Sequence, residues 1–156
     1  MASVEFVNLK QFSVALNKAQ GKVVKQVNKE LAGTALRTVA VAKNRLRVNS
    51  EDSREMAFTI GAVRQSINFI HDPKLLSASV FAGNTKGDHM AAYLEFGTGR
   101  HAARYVPTLL KDFQALARTF YVNGKGTLKE HPYLIPAYMQ EGARLKERLK
   151  NMKIGW

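Results

Sequence analysis

The spacing of apolar and polar positions changes several times along this chain, and the changes mark its elements. Val4-Glu5-Phe6-Val7 alternates apolar with polar and predicts a short first strand. Asn8 offers an N-cap to the segment after it, where Phe12, Ala15, Leu16 and Ala19 recur at helical spacing. Gly21 marks a break or bend, since glycine is poor inside a helix. The most regular pattern runs from residue 22 to about 48. Val24, Val27, Leu31, Ala35, Val39, Ala42 and Leu46 step by three or four and lay one apolar stripe along roughly seven turns. Two of those seven residues are alanine, which lets a neighbouring backbone approach closely.

Residues 49–53 are polar and read as a loop, and residues 61–67 suit one or two helical turns. Asn68-Phe69-Ile70-His71 reads as a strand stopped by Asp72-Pro73. Residues 77–82 alternate and read as another strand, with a turn at 83–87. Residues 90–96 fit a strand or a short helix. In the next stretch, residues 109–117 suit a helix, and Thr119-Phe120-Tyr121-Val122 reads as a strand entering the tight turn Asn123-Gly124-Lys125-Gly126. The alternative for 99–130 is a long loop or arm that orders on assembly. Pro136 suits the first position of a final helix with Tyr138, Gly142, Leu145, Leu149 and Met152 on its apolar side. The expected class is α+β: a long N-terminal helical segment and a C-terminal helix packed on a small, mostly antiparallel sheet, with a loop or arm around 99–130. The length, 156 residues, fits one domain spanning 1–156.

Charge adds direction. There are 24 Lys and Arg against 12 Asp and Glu. Nine basic residues and one acid, Glu30, fall between Lys10 and Arg47. Such an excess favours polyanions or acidic protein surfaces as partners. Lys18, Lys22, Lys25 and Lys29 share a second helix face, either solvated or in contact with nucleic acid or an acidic partner ring. The absence of cysteine excludes disulfides, thiolate metal sites and cysteine nucleophiles. The N-terminus lacks the pattern of a signal peptide, and no apolar run reaches the roughly 18–20 residues of a membrane span. A soluble protein made in the cytoplasm is expected, with no membrane partner.

Catalytic patterns are sparse. None of His71, His89, His101 and His131 pairs with another at i+4, and no metal or cofactor is expected. Gly97-Thr98-Gly99-Arg100-His101-Ala102 has the form of a dinucleotide fingerprint without the βαβ context that motif needs. An enzyme using His71, His89, Glu95 or His101 is the remaining catalytic rival. A non-specific DNA-binding protein acting through its basic helix is the other alternative. Base-reading motifs are absent, and aromatic residues do not interleave with the basic run.

Three short segments carry a resemblance: Gly61-Ala62-Val63-Arg64-Gln65-Ser66, then Tyr93-Leu94-Glu95-Phe96-Gly97-Thr98, then Pro132-Tyr133-Leu134-Ile135-Pro136-Ala137. In this order, after a short strand and a long basic helix, the chain resembles the small neck and tail-completion proteins of long-tailed bacteriophages and prophages. Residues 99–131 are longer than that family usually carries. The resemblance implies a structural virion protein without catalytic role, tiling as a hexameric or dodecameric ring at the head–tail neck. Its partners would be copies of itself, a head-closure, stopper or tail-terminator protein, the tail tube, and genomic DNA in the channel. The implied interface residues are Tyr93, Glu95, Phe96, Gly97, Thr98, Gly99, Tyr105, Tyr121, Pro132 and Tyr133, with Lys18, Lys22, Lys25 and Lys29 facing DNA or an acidic ring. Phe96 and Leu134 are expected inside the subunit. A carboxylate in an apolar motif needs a partner, so Glu95 is expected to meet an Arg or backbone amides. Its loss is expected to hinder assembly more than folding.

Overall fold

Helix α1 (Gly21–Arg45) is the longest of the described helices, and two strands of the sheet and the C-terminal helix pack on it. The computed structural model describes the backbone of residues 2–5, and residues 21–83, 89–120 and 125–152. One side of α1 is buried through Val23, Val27, Leu31, Ala35, Val39 and Ala42, and Leu46 continues it just past the helix end. This is the expected stripe, except that Val23 rather than Val24 occupies its first fully buried place. Thr34 and Thr38 are also buried there. Thr38 Oγ1 donates to the Thr34 carbonyl at 2.8 Å, and Thr34 Oγ1 accepts from Arg148 at 2.9 Å, so neither hydroxyl is stranded.

A three-stranded antiparallel sheet lies against α1. Its order is β1 (Ala2–Glu5), β3 (Ser77–Ala82), β2 (Asn68–Asp72). Val4 stands opposite Val80 on one side, and Phe69 opposite Val80 on the other. Ala78, Val80 and Ala82 of the central strand are buried, while Ser77, Ser79 and Phe81 are half-buried on the alternate face. The β2–β3 hairpin turns through Pro73, Lys74, Leu75 and Leu76. Asp72 Oδ1 accepts from the amides of Lys74 and Leu75 at 2.8 and 3.1 Å, a side-chain turn of the kind aspartate favours. Asn28 of α1 grips this hairpin twice: its Nδ2 donates to the Pro73 carbonyl at 3.1 Å, and its Oδ1 lies 3.1 Å from His71 Nε2.

Helix α2 (Arg54–Ser66) begins at Ser53, whose hydroxyl accepts from the Met56 amide at 3.1 Å. Ser66 closes it: Oγ donates to the Val63 carbonyl at 2.6 Å and accepts from the Gly83 amide at 2.8 Å. That serine ties the end of α2 to the end of β3. Gly61 of the same segment has open space where a Cβ would sit, so packing does not demand glycine there.

The fold is α+β, as expected, but residues 99–130 are not mainly a loop or arm. They hold α4 (Gly99–Tyr105), a 3₁₀ turn (Val106–Thr108) and α5 (Lys111–Phe120). Phe113, Leu116, Ala117 and Phe120 recur at helical spacing toward the core. Thr119 and Phe120, read as the start of a strand, therefore finish a helix. Residues 90–96, ambiguous in sequence, form helix α3 (Met90–Phe96). The expected helix at 9–20 and the turns at 83–87 and 123–126 lie wholly or partly outside the described residues.

Helix α6 (Leu134–Lys150) runs antiparallel to α1 and is its most extensive helical partner. Polar groups stitch the pair. Arg148 Nε donates to Glu30 at 3.0 Å, Arg45 to Gln140 at 3.3 Å, and Arg37 Nε lies 3.4 Å from Glu141 Oε2. Glu141 is fully buried and also accepts from Arg144 at 2.7 Å. Leu31 and Leu36 test this register, being 1% and 59% exposed on one helix. Leu31→Ala is expected to lower the unfolding free energy by about 2–5 kcal/mol. Leu36→Ala is expected to change it by under about 0.5 kcal/mol in the same urea titration.

Candidate functional site

The motif at 93–98 ends a helix and receives a strap. Helix α3 stops at Gly97, whose φ is +74° and whose amide donates to the Tyr93 carbonyl at 2.8 Å. A Cβ there would lie 3.0 Å from the Glu130 amide nitrogen, so the glycine admits the strap as well as the turn. The strap, residues 126–133, crosses this helix end. Thr98 donates its amide to the Leu128 carbonyl at 2.9 Å and accepts the Leu128 amide on Oγ1 at 2.8 Å. Gly126 (φ +103°) passes so close to Thr98 that a Cβ would fall 2.5 Å from its hydroxyl. The His131 amide donates to the Leu94 carbonyl at 2.6 Å.

Glu95 completes the junction. Its Oε2 accepts from the amides of Tyr133 and Leu134 at 2.9 and 2.7 Å, and its Oε1 from the amide of Ile135 at 3.1 Å. These are the N-cap and first two positions of α6. A helix leaves its first four amide groups without internal acceptors. One carboxylate takes three of them, and the fourth position is Pro136, which has no N–H. Proline thus sits third in the helix rather than first as expected, and its position removes the one donor that Glu95 does not reach. The negative carboxylate also lies at the positive end of the helix dipole. The expected partner of Glu95 is therefore a set of backbone amides within the subunit. Tyr133 packs beneath, its hydroxyl donating to the Ala91 carbonyl at 3.0 Å.

Burial sets the electrostatics. It raises Glu95 from 4.5 to about 7, against the opposing pull of the three amides and of Arg45. Tyr105 is pushed up to about 12, first by burial and then by the Glu95 and Glu130 carboxylates. Tyr133 is raised well above the usual phenol range by burial and by Glu95. Glu95 is closed to solvent with both oxygens engaged, so its arrangement fits holding the chain rather than transferring protons.

The implied interface residues divide accordingly. Glu95, Phe96, Gly97, Gly99 and Tyr133 are buried within the subunit and offer a neighbour little surface. Tyr93, Thr98, Tyr105 and Pro132 are half-exposed. Lys22, Lys25 and Lys29 are exposed on the outer face of α1. Lys18 and Tyr121 lie outside the described residues. Phe96 and Leu134 are inside, as expected. Sequence reading passed over Glu141, although Leu134, Ala137, Glu141 and Leu145 share one helical spacing that places an acid in the buried stripe.

His71, His89, Glu95 and His101 do not assemble a common site. His71 meets Asn28, the His89 ring lies tilted with its centroid 5.6 Å from that of Phe120, and His101 Nδ1 lies 3.6 Å from Glu130. No group of three metal-ligating side chains forms among the described residues. A hollow between α3 and α5, lined by Ala92, Tyr93, Phe96, Gly97, Ala117 and Phe120, encloses about 10 Å³, room for one water. No described helix is long and apolar enough to cross a membrane.

Glu95 binds its proton more tightly in the folded state. Its contribution to stability is therefore complete below about pH 4.5 and lost as pH rises through about 7. The stability gap between wild type and Glu95→Gln is expected to narrow by about 2–3 kcal/mol from pH 5 to pH 8 in urea unfolding. A gap that stays constant would show that this carboxyl does not titrate there. No protein-family model matches the chain, and no curated protein and no solved structure matches it either.

Proposed function

We propose that this chain is a structural subunit of a ring at the neck or tail end of a long-tailed phage, joining head-closure proteins to the tail tube around the DNA exit channel. The observation that supports this reading is the Glu95 junction. Two of the three segments carrying the resemblance, far apart in sequence, meet there through one carboxylate and three amides. The third segment contributes Ser66, which ties α2 to the sheet. The segments are thus working parts of one architecture, which is what a resemblance to a structural family would rest on.

A closed ring needs two different patches that meet between neighbours. Phe58 on α2 is 81% exposed, a large apolar surface with no role in the subunit core. With half-exposed Tyr93 and Tyr105, it is the kind of aromatic anchor that interface centres favour. Glu95 belongs elsewhere. Because it caps a buried helix start, Glu95→Ala is expected to destabilise the monomer as well as the ring, which reverses the expectation drawn from sequence.

Native mass measurement of the purified chain, and of neck fragments from virions, is expected to give a hexamer or dodecamer. Phe58→Asp is expected to shift the population to monomer while the thermal midpoint stays within about 2 °C of wild type. A chain that remains monomeric in virions, or never enters them, would refute the ring.

A further inference from the structure

We infer that the first half of α1 and the tip of the β2–β3 hairpin form one surface that binds the phosphate backbone of duplex DNA without reading its sequence. The inference rests on the ring reading only for where the DNA comes from; the surface itself belongs to the single subunit.

Its parts come from two elements. Lys22, Lys25 and Lys29 follow one another at i+3 and i+4 on the outer face of α1, away from both the sheet and α6. They span about 10 Å along the axis, a distance that passes several phosphates of a duplex. Asn28 brings the hairpin alongside: its bonds to the Pro73 carbonyl and to His71 hold the turn that carries exposed Lys74 beside this end of the helix. Four lysines thus gather on one surface.

The nearby acids do not neutralise it. Glu30, the one acid of α1, is turned to the α6 side, where Arg148 donates to it. Asp72 holds the hairpin amides through Oδ1 and keeps its negative charge, so it offsets one positive charge and leaves the lysines in excess. Like charges at i+3 and i+4 repel and weaken the helix, so folding gives no reason for this row.

The composition of the surface chooses between two polyanionic partners. Protein interfaces are depleted in lysine and enriched in aromatic residues and arginine. This surface has lysine heads on flexible stems, with exposed Leu75 beside Lys74 on the hairpin tip and no aromatic among the lysines' immediate chain neighbours. Lysine binds phosphate as a point charge without demanding a fixed geometry, which suits a uniform phosphate lattice where each contact releases a counterion.

The test is fluorescence anisotropy of the full chain with a labelled 30-base-pair duplex over a series of salt concentrations. Wild type is expected to bind two unrelated sequences equally, with log K falling against log salt at a slope of about −3 to −4. The Lys25→Gln, Lys29→Gln, Lys74→Gln triple variant is expected to bind at least about tenfold more weakly, with the slope smaller by roughly 2.5–3. A control triple variant, Arg64→Gln, Arg104→Gln, Arg118→Gln, removes the same charge from exposed sites on other helices and is expected to keep near wild-type binding. Circular dichroism melts verify that both variants fold. Equal losses in the two variants, or tighter binding of polyglutamate than of DNA at matched charge, would overturn the inference. A monomer that binds DNA this way keeps the inference and loses the ring. A ring that ignores DNA keeps the ring and loses the inference.

Discussion

A helix that starts inside a protein brings four amide donors away from water, and helix α6 starts inside this one. Tyr133, Leu134 and Ile135 are all buried. Each unsatisfied donor at such a place would cost on the order of 1–3 kcal/mol. Glu95 answers three of them at once, and Pro136 removes the fourth. The rest of the local structure follows from bringing that carboxylate to that helix start. Helix α3 must end beside α6, so Gly97 turns the chain with positive φ. The strap must lie across the turn, so neither Gly97 nor Gly126 has room for a side chain. Desolvation outweighs the amide bonds and raises Glu95 to about 7, which shows how much the charged form loses by leaving water.

The rest of the charge is handled in two ways. Between α1 and α6 it is matched: Glu30 and Glu141 lie among Arg37, Arg144 and Arg148, and Thr34 accepts from two of the arginines. Removing one member of such a network leaves another buried charge uncompensated, so the network enforces the pairing of the two helices more than it adds net stability. On the outer face of α1 Lys22, Lys25 and Lys29 meet no carboxylate among the described residues. One helix thus presents a compensated side to the protein and a lysine-rich side to the outside.

Much of this was legible in the chain. Helix α1, β2 and β3 came from periodicities of 3.6 and 2 that burial enforces on both structures. The α3 segment was too short for its period to decide. Residues 99–130 misled because glycine, Pro107 and the Asn123-Gly124 pair punctuate a region whose helices are only seven and ten residues long. Punctuation that marks loops in longer stretches marks helix boundaries here. That Glu95 needed partners could be read from its apolar setting. That they were the first amides of α6, some forty residues on, could not, because no local pattern encodes which helix start a carboxylate will meet. In the segments at 93–98 and 132–137 Phe96 and Leu134 were expected inside, but Glu95, Gly97 and Tyr133, expected at an interface because aromatic and glycine residues suit one, are buried as well.

That burial changes what such segments can report. A motif whose residues satisfy one another inside the subunit identifies an architecture, and it leaves the contacts between subunits to whatever the architecture exposes. In this chain the exposed features include a large aromatic, Phe58, and a lysine-rich face, and these two act in opposite directions on assembly. Copies that each carry a net charge of +12 repel when brought together, so apolar contact alone must overcome a cost that grows with every subunit added. The cost falls if the lysine faces share a polyanion, because its phosphates neutralise what the subunits cannot neutralise for each other. The physical logic of a ring built from this subunit therefore couples its closure to what its basic surface meets.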